Sequence, residues 1–573
     1  MLVLAVRSMC PDAAAAVPRH GDRAERVTGE GPPVSILPDD QGERPFGPWI
    51  VPSVRTLSEP ALVLFNGFES VQVNVDRNGM NIVGDAANEP SIAVDPTDPD
   101  SIVIGWRQFD SVRSNFRQSG YGYSSDGGRH WTFPGSLWPG RFGSDPVLVA
   151  DADGVFYYSA IGDDVPGVRL FKSANGGVNW EGPLQIAAEF IDKQWLAVDV
   201  TDGPGRGHLY MTWSNGTNFT RSTDGGLSWP VRMRAPIGTT VWGTIDVDVN
   251  GKLYLVDRNF TVAASTDAQL PGQTPTFPQA VTVAMGGFLR LGGAPNPGGL
   301  LGQPWIVTDR SVGPTRGNVY LLCSLDPTGA DPYDVHFSRS TDGGRTWAQA
   351  VRVNDEPPGT AWQWFGVLSV APSGRLDAAW YDTRHGPAEV SEVFYAYSTD
   401  AGLTWSPNLQ VSPPFNSHVG WPQQSKLGDY IGMFSDALGA GLAYAATFNG
   451  EQDVYFLRID IDCNRNGYHD GDDIASGRSR DDNHNGVPDE CEGVNCDDIR
   501  KFKVACNERG KLKAVVKSSL PQGTELTLDN NGDRQVITLN DAGRGKFKWQ
   551  NQSGRRTVAI VECPQYSEVV DCP

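Results

Sequence analysis

The pattern Ser-x-Asp-x-Gly-x-x-Trp recurs five times, at 124–131, 173–180 (with Asn175 for Asp), 222–229, 340–347 and 398–405. Each residue type serves one small piece of geometry. The side-chain oxygen of Asp or Asn accepts hydrogen bonds from backbone N–H groups a few residues on, and Gly supplies the positive φ that a tight turn requires. The Trp folds back and buries a large apolar surface over the turn. The residues leading into each copy alternate, as in 335–340 and 393–398, which is the period of a strand. The motif is therefore a clamped hairpin turn, and copies spread from residue 124 to residue 405 call for a repeating all-β body.

A second repeat runs in step with the first. A short apolar strand, often closed by Asp and a turn, precedes a second apolar strand at 89–95 and 101–106, 145–149 and 155–158, 194–199 and 208–213, and 244–248 and 253–256. The series continues at 304–307 and 319–322, 365–368 and 376–380, and 430–433 and 442–445. Strands without polar alternation are buried on both faces, as inner strands of a propeller blade are, while the alternating third strand and its turn lead to an exposed fourth. Self-similarity of this period predicts a seven-bladed β-propeller over 69–461, with six blades as the alternative. The fourth unit's turn, Ser265-Thr266-Asp267, lacks Gly and Trp in register, and the seventh unit ends at 453–460 without an outer strand. The isolated alternating segment 69–75 is expected to fill that place, since an unpaired strand edge templates aggregation. The five turns resemble the Asp-box, or BNR repeat, of sialidases and related propellers, where the box is structural.

In an antiparallel meander, the start of each first strand and the end of each second strand share one face of the ring, opposite the clamped turns. Glu89, Asp145, Asp192, Lys193, Gln194, Gln303 and Asp429 stand at first-strand starts, and Arg107, Asp257, Arg258, Asp382 and Arg384 just past second-strand ends. Carboxylates and guanidinium groups are thus expected around one mouth of the central channel. That mouth suits an anionic sugar held by Arg while Asp or Glu acts as acid or base. Sialidases hold the sialate carboxylate with three arginines, attack with a Tyr paired with Glu, and use an Asp as acid/base. The resemblance implies Arg107, Arg258 and Arg384 as the trio, Tyr381 or Tyr430 as the Tyr, and Glu89, Asp145 and Asp429 as the carboxylates. Asp382, Lys193 and Gln194 would be further substrate contacts. The Phe-Arg-Ile-Pro motif that carries the first arginine in that family is absent. Two functions follow: an exported sialidase-like glycosidase acting on a glycan or glycoprotein, or a non-catalytic glycan- or protein-binding propeller.

Behind the propeller lie two acidic loops. Asp462, Asn464, Asn466, Asp470 and Asp473 occupy loop positions 1, 3, 5, 9 and 12 of the first, and Asp481, Asn483, Asn485, Asp489 and Glu492 those of the second. Gly467 and Gly486 stand at position 6, and the carbonyls of Tyr468 and Val487 fill position 7. Hard oxygen ligands at this spacing wrap Ca²⁺, so 462–492 is expected to hold two ions as a stiff hinge, and no organic cofactor is expected. The pair resembles dockerin and thrombospondin type-3 repeats. Dockerins imply a cohesin-like partner, and a calcium-stiffened spacer is preferred here. Cys463 and Cys491, at position 2 of one loop and position 11 of the other, are expected to pair.

Residues 493–573 carry five strand patterns, at 511–516, 525–528, 534–539, 546–549 and 557–561, which read as a small β-sandwich with Cys496, Cys506, Cys563 and Cys572 available for two bridges. Six of the eight cysteines fall at or after Cys463, which points to an oxidising compartment. With the short apolar run 1–6 and the alanines 13–16, this predicts a secreted or cell-surface protein. Residues 1–68 show no sustained periodicity and read as leader and linker. No run of eighteen apolar residues predicts a membrane span. A formal net charge of -21 argues against nucleic acid. Scattered histidines and the lack of a Gly-x-Ser-x-Gly elbow argue against zinc and Ser-His-Asp chemistry.

Overall fold

The structure, a computed structural model, describes residues 62–162, 167–187, 191–214, 216–238, 241–329, 331–460, 470–480, 488, 498–520, 522–561 and 563–573. Between residues 62 and 460 the described strands form seven antiparallel sheets of four or five strands. Six follow one another along the chain, with first strands Ala86–Asp95, Ser144–Ala150, Asp192–Val198, Ile245–Val247, Trp305–Thr308 and Gln363–Val370. In the seventh, Gly432–Ser435, Gly439–Ala446 and Asp453–Asp460 are followed by Phe68–Gln72 and Leu62–Phe65. Each first strand packs on the first strand of the next sheet, and Gly432–Ser435 packs on Ala86–Asp95. The sheets therefore close a ring about an axis, and the fold is an all-β propeller.

Burial follows the sequence pattern. Second strands such as Phe156–Gly162 and Gly439–Ala446 are buried throughout, whereas the fourth strand Glu181–Gln185 is mostly exposed. The apolar core is divided into layers between neighbouring sheets. Tyr320, Leu322 and Phe337 of the fifth sheet, for example, meet Leu368, Trp380 and Phe394 of the sixth. Trp106, Trp213, Trp364 and Trp380 are fully buried in such layers, each contributing on the order of 3 kcal/mol of transfer free energy. Close approach also requires gaps, since a Cβ on Gly105 would run into the ring of Tyr158 in the next sheet.

Four of the five clamped turns share one full set of bonds, and the turn at Ser398 keeps all but the Trp bond. Ser340 Oγ donates to Asp342 (2.8 Å) and accepts from Gly344 N–H (2.8 Å), Asp342 accepts from Thr346 N–H (2.9 Å), and Trp347 Nε1 donates to the Gly344 carbonyl (3.2 Å). The same bonds recur at Ser124, Ser173 and Ser222. The fourth turn, which reads as degenerate, is lengthened instead. Ser265 still donates to Asp267 (2.7 Å), but Asp267 accepts from Thr276 N–H (2.8 Å) and Oγ1 (2.7 Å), five positions later than in the other turns. Phe277 takes the place of the Trp and meets Phe219 edge-on at 5.2 Å.

Ser70, Val71 and Gln72 pair with Leu457, Phe456 and Tyr455, so the N-terminal segment does cover the edge of the last sheet. The strand Leu62–Phe65 corrects the irregular reading of residues up to 68. It folds back through Asn66 and Gly67, at φ 48° and 83°, the conformation of a two-residue hairpin turn. Residues 498–573 form two sheets around one core that includes Leu512, Val516, Leu526, Leu528, Trp549 and Ile560. They contain seven strands rather than five. Ile499–Cys506 and Cys563–Cys572 are the additions, and Cys506 and Cys572 join one sheet to the other through a disulfide with Cα atoms 5.4 Å apart. Cys563 is disulfide-bonded as well. Among the described residues, no helix is long and apolar enough to cross a membrane.

Candidate functional site

Four first strands begin with the same distortion. Glu89, Asp145, Lys193 and Phe365 have φ of 53°, 51°, 52° and 57°, each within a break in strand register. A bulge of this kind re-aims a side chain, at a cost on the order of 1 kcal/mol or more for a non-glycine residue. Three of these side chains reach one cluster. Arg107 Nε lies 3.1 Å from Glu89 Oε2, Lys426 Nζ lies 3.6 Å from Glu89 Oε1 and 3.0 Å from Asp429 Oδ2, and Lys193 Nζ lies 3.6 Å from Asp145 Oδ2. Lys193 is also bonded to Asp429. Lys193 belongs to the third sheet and Asp429 enters the seventh, so the network crosses the axis of the ring. Three acids and three bases form one continuous chain.

The cluster is closed over rather than displayed at an open mouth. All six charged residues are buried. The loop between Gly287–Phe288 and Trp305–Thr308 of the fifth sheet bonds the cluster through Leu300 N–H to Asp429 Oδ1 (2.8 Å) and Asn296 Nδ2 to the Gly428 carbonyl (2.9 Å). Arg107 donates to Asn88 (2.9 Å) and Gln424 (2.7 Å), and Asn88 donates to Gln452 (2.8 Å), which donates to the Lys426 carbonyl (2.9 Å). Burial pushes the Glu89 carboxyl up to about 7 although Arg107 opposes it. Burial also opposes ionisation of Asp429, but Lys193, Lys426 and Arg107 hold that carboxyl far below the usual range. The two acids therefore differ in protonation at neutral pH.

Gln194 donates to the carbonyl of Asp145, and Tyr430 Oη donates to that of Pro146 (2.9 Å). Tyr430 meets Trp195 edge-on at 5.4 Å, and Trp195 meets Trp305 at 5.2 Å. Beyond this aromatic group lies a cavity of about 500 Å³ lined by first-strand residues of all seven sheets, with Trp195 and Trp305 beside Asp246, Thr308, Arg310 and Ser435. Arg310 Nη1 lies 2.7 Å from Asp246 Oδ1 there.

The remaining predicted residues are held elsewhere, which corrects the expected arginine trio. Arg384 lies 2.8 Å from Asp382, 2.7 Å from Asp355 and 2.9 Å from Glu356. Arg258 lies over the Trp242 ring at 4.9 Å. Both follow the ends of their second strands, where the turn and not the strand sets direction, whereas Arg107 is inside a strand and pairs with Asn88 beside the bulge. Tyr381 is enclosed in the core between the sixth and seventh sheets, where its hydroxyl donates to the Ala445 carbonyl (2.6 Å) and accepts from Ala445 N–H (3.0 Å). Lys426, Gln424 and Asn296 escape the strand pattern because they come from connections. The available signal is length, since residues 417–431 form a long segment between sheets six and seven, and such segments often carry function.

Of the expected Ca²⁺ ligands, Asp470 and Asp473 are described. Both are buried in the helix Asp470–Ser476, and Asp473 accepts from Arg478 Nε at 2.6 Å. Asp462, Asn464, Asn466, Tyr468, Asp481, Asn483, Asn485, Val487, Asp489 and Glu492 lie outside the described residues, as do Cys463 and Cys491.

No family model matches the chain. A probable oligoxyloglucan-reducing end-specific xyloglucanase of Neosartorya fischeri is 23% identical over 345 residues, which cover 58% of this chain and 36% of that protein. The chain thus spans little more than a third of that relative's length. Among solved structures it is similar to a protein of unknown function from Dyadobacter fermentans, at 16% identity and TM-score 0.38 over 70% of this chain and 100% of that one. It is also similar to an α-L-arabinofuranosidase of Fusarium graminearum, at 14% identity and TM-score 0.29 over 47% of this chain and 93% of that one.

Proposed function

We propose that this chain is an exported, seven-bladed Asp-box propeller that acts on extracellular glycans, with the buried charged cluster as its chemical centre. The pair Glu89 and Asp429 carries this reading. One ammonium, that of Lys426, contacts both carboxyls, while burial drives Glu89 to about 7 and Asp429 is held ionised. Two neighbouring carboxyls with protonation driven apart suit glycoside hydrolysis, with one as general acid and the other as base or nucleophile. In this reading Glu89 protonates the leaving oxygen, Asp429 and Asp145 stabilise or attack the sugar, and Arg107 and Lys193 engage an anionic group of the substrate. For sialidase-type cleavage, Tyr430 is the tyrosine of the two that adjoins the cluster. Substrate entry requires the loops at Asn296 and Gln424 to move.

The xyloglucan-directed name of the Neosartorya relative supports a glycan substrate. The test is incubation with a fluorogenic sialoside and with xyloglucan oligosaccharides. Release by the wild type, lost at least a hundredfold in Glu89→Gln and in Asp429→Asn with melting retained, supports the reading. No release from any substrate overturns it.

A binding propeller is the second reading, favoured by the cavity that Trp195 and Trp305 line. A sugar stacked on Trp305 there needs no acid, and retention on a glycan array lost in Trp305→Ala without turnover would establish it.

The segment 462–492 is proposed to bind two Ca²⁺ ions as a spacer of dockerin or thrombospondin type-3 kind. The burial of Asp470 and Asp473 supports it. Calorimetry checks it, through a Ca²⁺-dependent heat and a melting shift with chelator. Export is supported by the Cys506–Cys572 disulfide.

A further inference from the structure

The outer face of one C-terminal sheet is a lattice of positive charge. The strands Ile499–Cys506, Leu512–Ser518 and Arg544–Trp549 lie side by side in that order. Their register places Lys501, Lys517 and Arg544 in one row, Lys503, Val515 and Lys546 in the next, and Ala505, Lys513 and Lys548 in the third. Eight of these nine residues are exposed and Val515 is half-buried, while the alternate residues Leu512, Ala514, Val516 and Trp549 enter the core. Seven of nine positions are basic and none is acidic. None of the seven has an ion-pair partner among the described residues. Rows lie about 7 Å apart along the strands and columns about 5 Å apart across them, so one ligand spans the whole lattice.

Such an arrangement works against the fold by itself. Lys501 faces Lys517, Lys513 faces Lys548, and Lys517 faces Arg544, and like charges directly opposite on a sheet are destabilising. A face that serves solubility interleaves both signs. Here one sign is concentrated in a chain whose formal net charge is -21. The pattern fits a polymer that supplies the missing anions.

We infer that this face binds an anionic polysaccharide, one bearing carboxylate or sulfate groups. Three features select that polymer. The lattice holds no aromatic side chain, so unstacked nucleic-acid bases would find no platform. The module carries the Cys506–Cys572 disulfide, which suits an oxidising space where such polysaccharides occur. Its apolar members are Ala505 and the half-buried Val515, which present no wedge for a lipid surface. Six of the seven cations are Lys, compact and strongly hydrated charges, so binding tolerates variation in anion geometry and weakens with salt. This inference stands apart from the chemistry of the propeller axis.

The full-length protein, kept in Ca²⁺, is titrated with polygalacturonate and with dextran sulfate, against neutral dextran, duplex DNA and phosphatidylserine vesicles. Expected is binding to an acidic polysaccharide that falls steeply between about 50 and about 300 mM NaCl. The triple variant Lys513→Gln, Lys517→Gln, Lys546→Gln should weaken it at least tenfold, with melting unchanged or raised because facing like charges are gone. The off-lattice variant Lys511→Gln, Arg555→Gln should stay within twofold. A pair variant, Lys501→Gln with Lys548→Gln, gives the same reading if the triple variant fails to fold. No binding to either acidic polymer, equal losses in lattice and off-lattice variants, or tighter binding to DNA or vesicles overturns the inference.

Discussion

Asn74 Nδ2 donates to Asp453 Oδ1 at 2.6 Å and reaches Asp85 Oδ2 at 3.4 Å, so one amide from the N-terminal segment joins two buried carboxyls. Asp453 begins the strand that this segment covers, and Asp85 immediately precedes the first sheet. The same Asn74 accepts from Val454 N–H at 3.0 Å. The place where the ring shuts is therefore held by polar bonds as well as by strand pairing.

The two carboxyls give this seam a pH dependence. Burial pushes Asp453 up to about 7 and drives Asp85 well above the carboxylate range, with repulsion from Asp453 adding to the latter. An acid with a higher pKa folded than unfolded keeps more protons in the folded state, so its favourable contribution is complete below about 4 and declines as pH rises toward 7. Melting temperature should fall from pH 5 to pH 8. Asp85→Asn should flatten that slope and raise melting at pH 8 by a few degrees, because Asp85 Oδ1 makes no hydrogen bond and an amide nitrogen there loses none. Scanning calorimetry across this range checks it, and an unchanged slope in the variant would count against the assignment.

Removal of residues 1–76 takes away Phe68–Gln72 and Asn74 together and leaves Asp453–Asp460 as a bare edge. Aggregation is the expected outcome, since an unpaired edge templates strand addition. Size-exclusion chromatography with light scattering measures it. A monomeric truncated protein with wild-type melting would refute the role given to the seam.

Asp267→Ala should cost about 1–2 kcal/mol through loss of the Ser265 and Thr276 bonds. It should also make residues 268–275 the first site of cleavage, because that loop is five residues longer than its counterparts and is closed by Asp267. Asp342→Ala should cost a similar amount without a new cut. Limited proteolysis read by mass spectrometry distinguishes the two.

Tyr381→Phe should destabilise the ring by about 1–3 kcal/mol, since it leaves Ala445 N–H and C=O buried and unbonded. Under the proposed glycosidase reading, turnover per folded molecule should be unchanged, because the hydroxyl is committed to that backbone. Loss of turnover at unchanged denaturant midpoint would return Tyr381 to the chemistry.

Part of the site is legible in the sequence. Glu89, Asp145, Lys193 and Asp429 are identifiable as first-strand starts, and the meander rule alone assigns them to one end of the axis. Arg258 and Arg384, assigned to that end by the same rule, make other contacts, because past a strand end the turn decides direction, and Tyr381, implied by the sialidase resemblance, is enclosed in the core, because within a strand the neighbouring sheet decides burial. Phe277 is hidden by the insertion that moves it out of register. Lys426 and Asn296 are hidden because irregular connections carry no periodicity that reports where they end.

The amino-acid sequence by itself determined the local units: the Ser340–Asp342–Gly344–Trp347 bonds span eight residues, and strand burial follows from which side chains are apolar. Tertiary structure decided which charges meet. Lys193 and Asp429 are 236 positions apart, and their contact depends on how many sheets the ring holds and how each bulge aims its side chain inward. Local bonds are set by spacing along the chain, whereas a contact across the axis is set by the summed geometry of every sheet between.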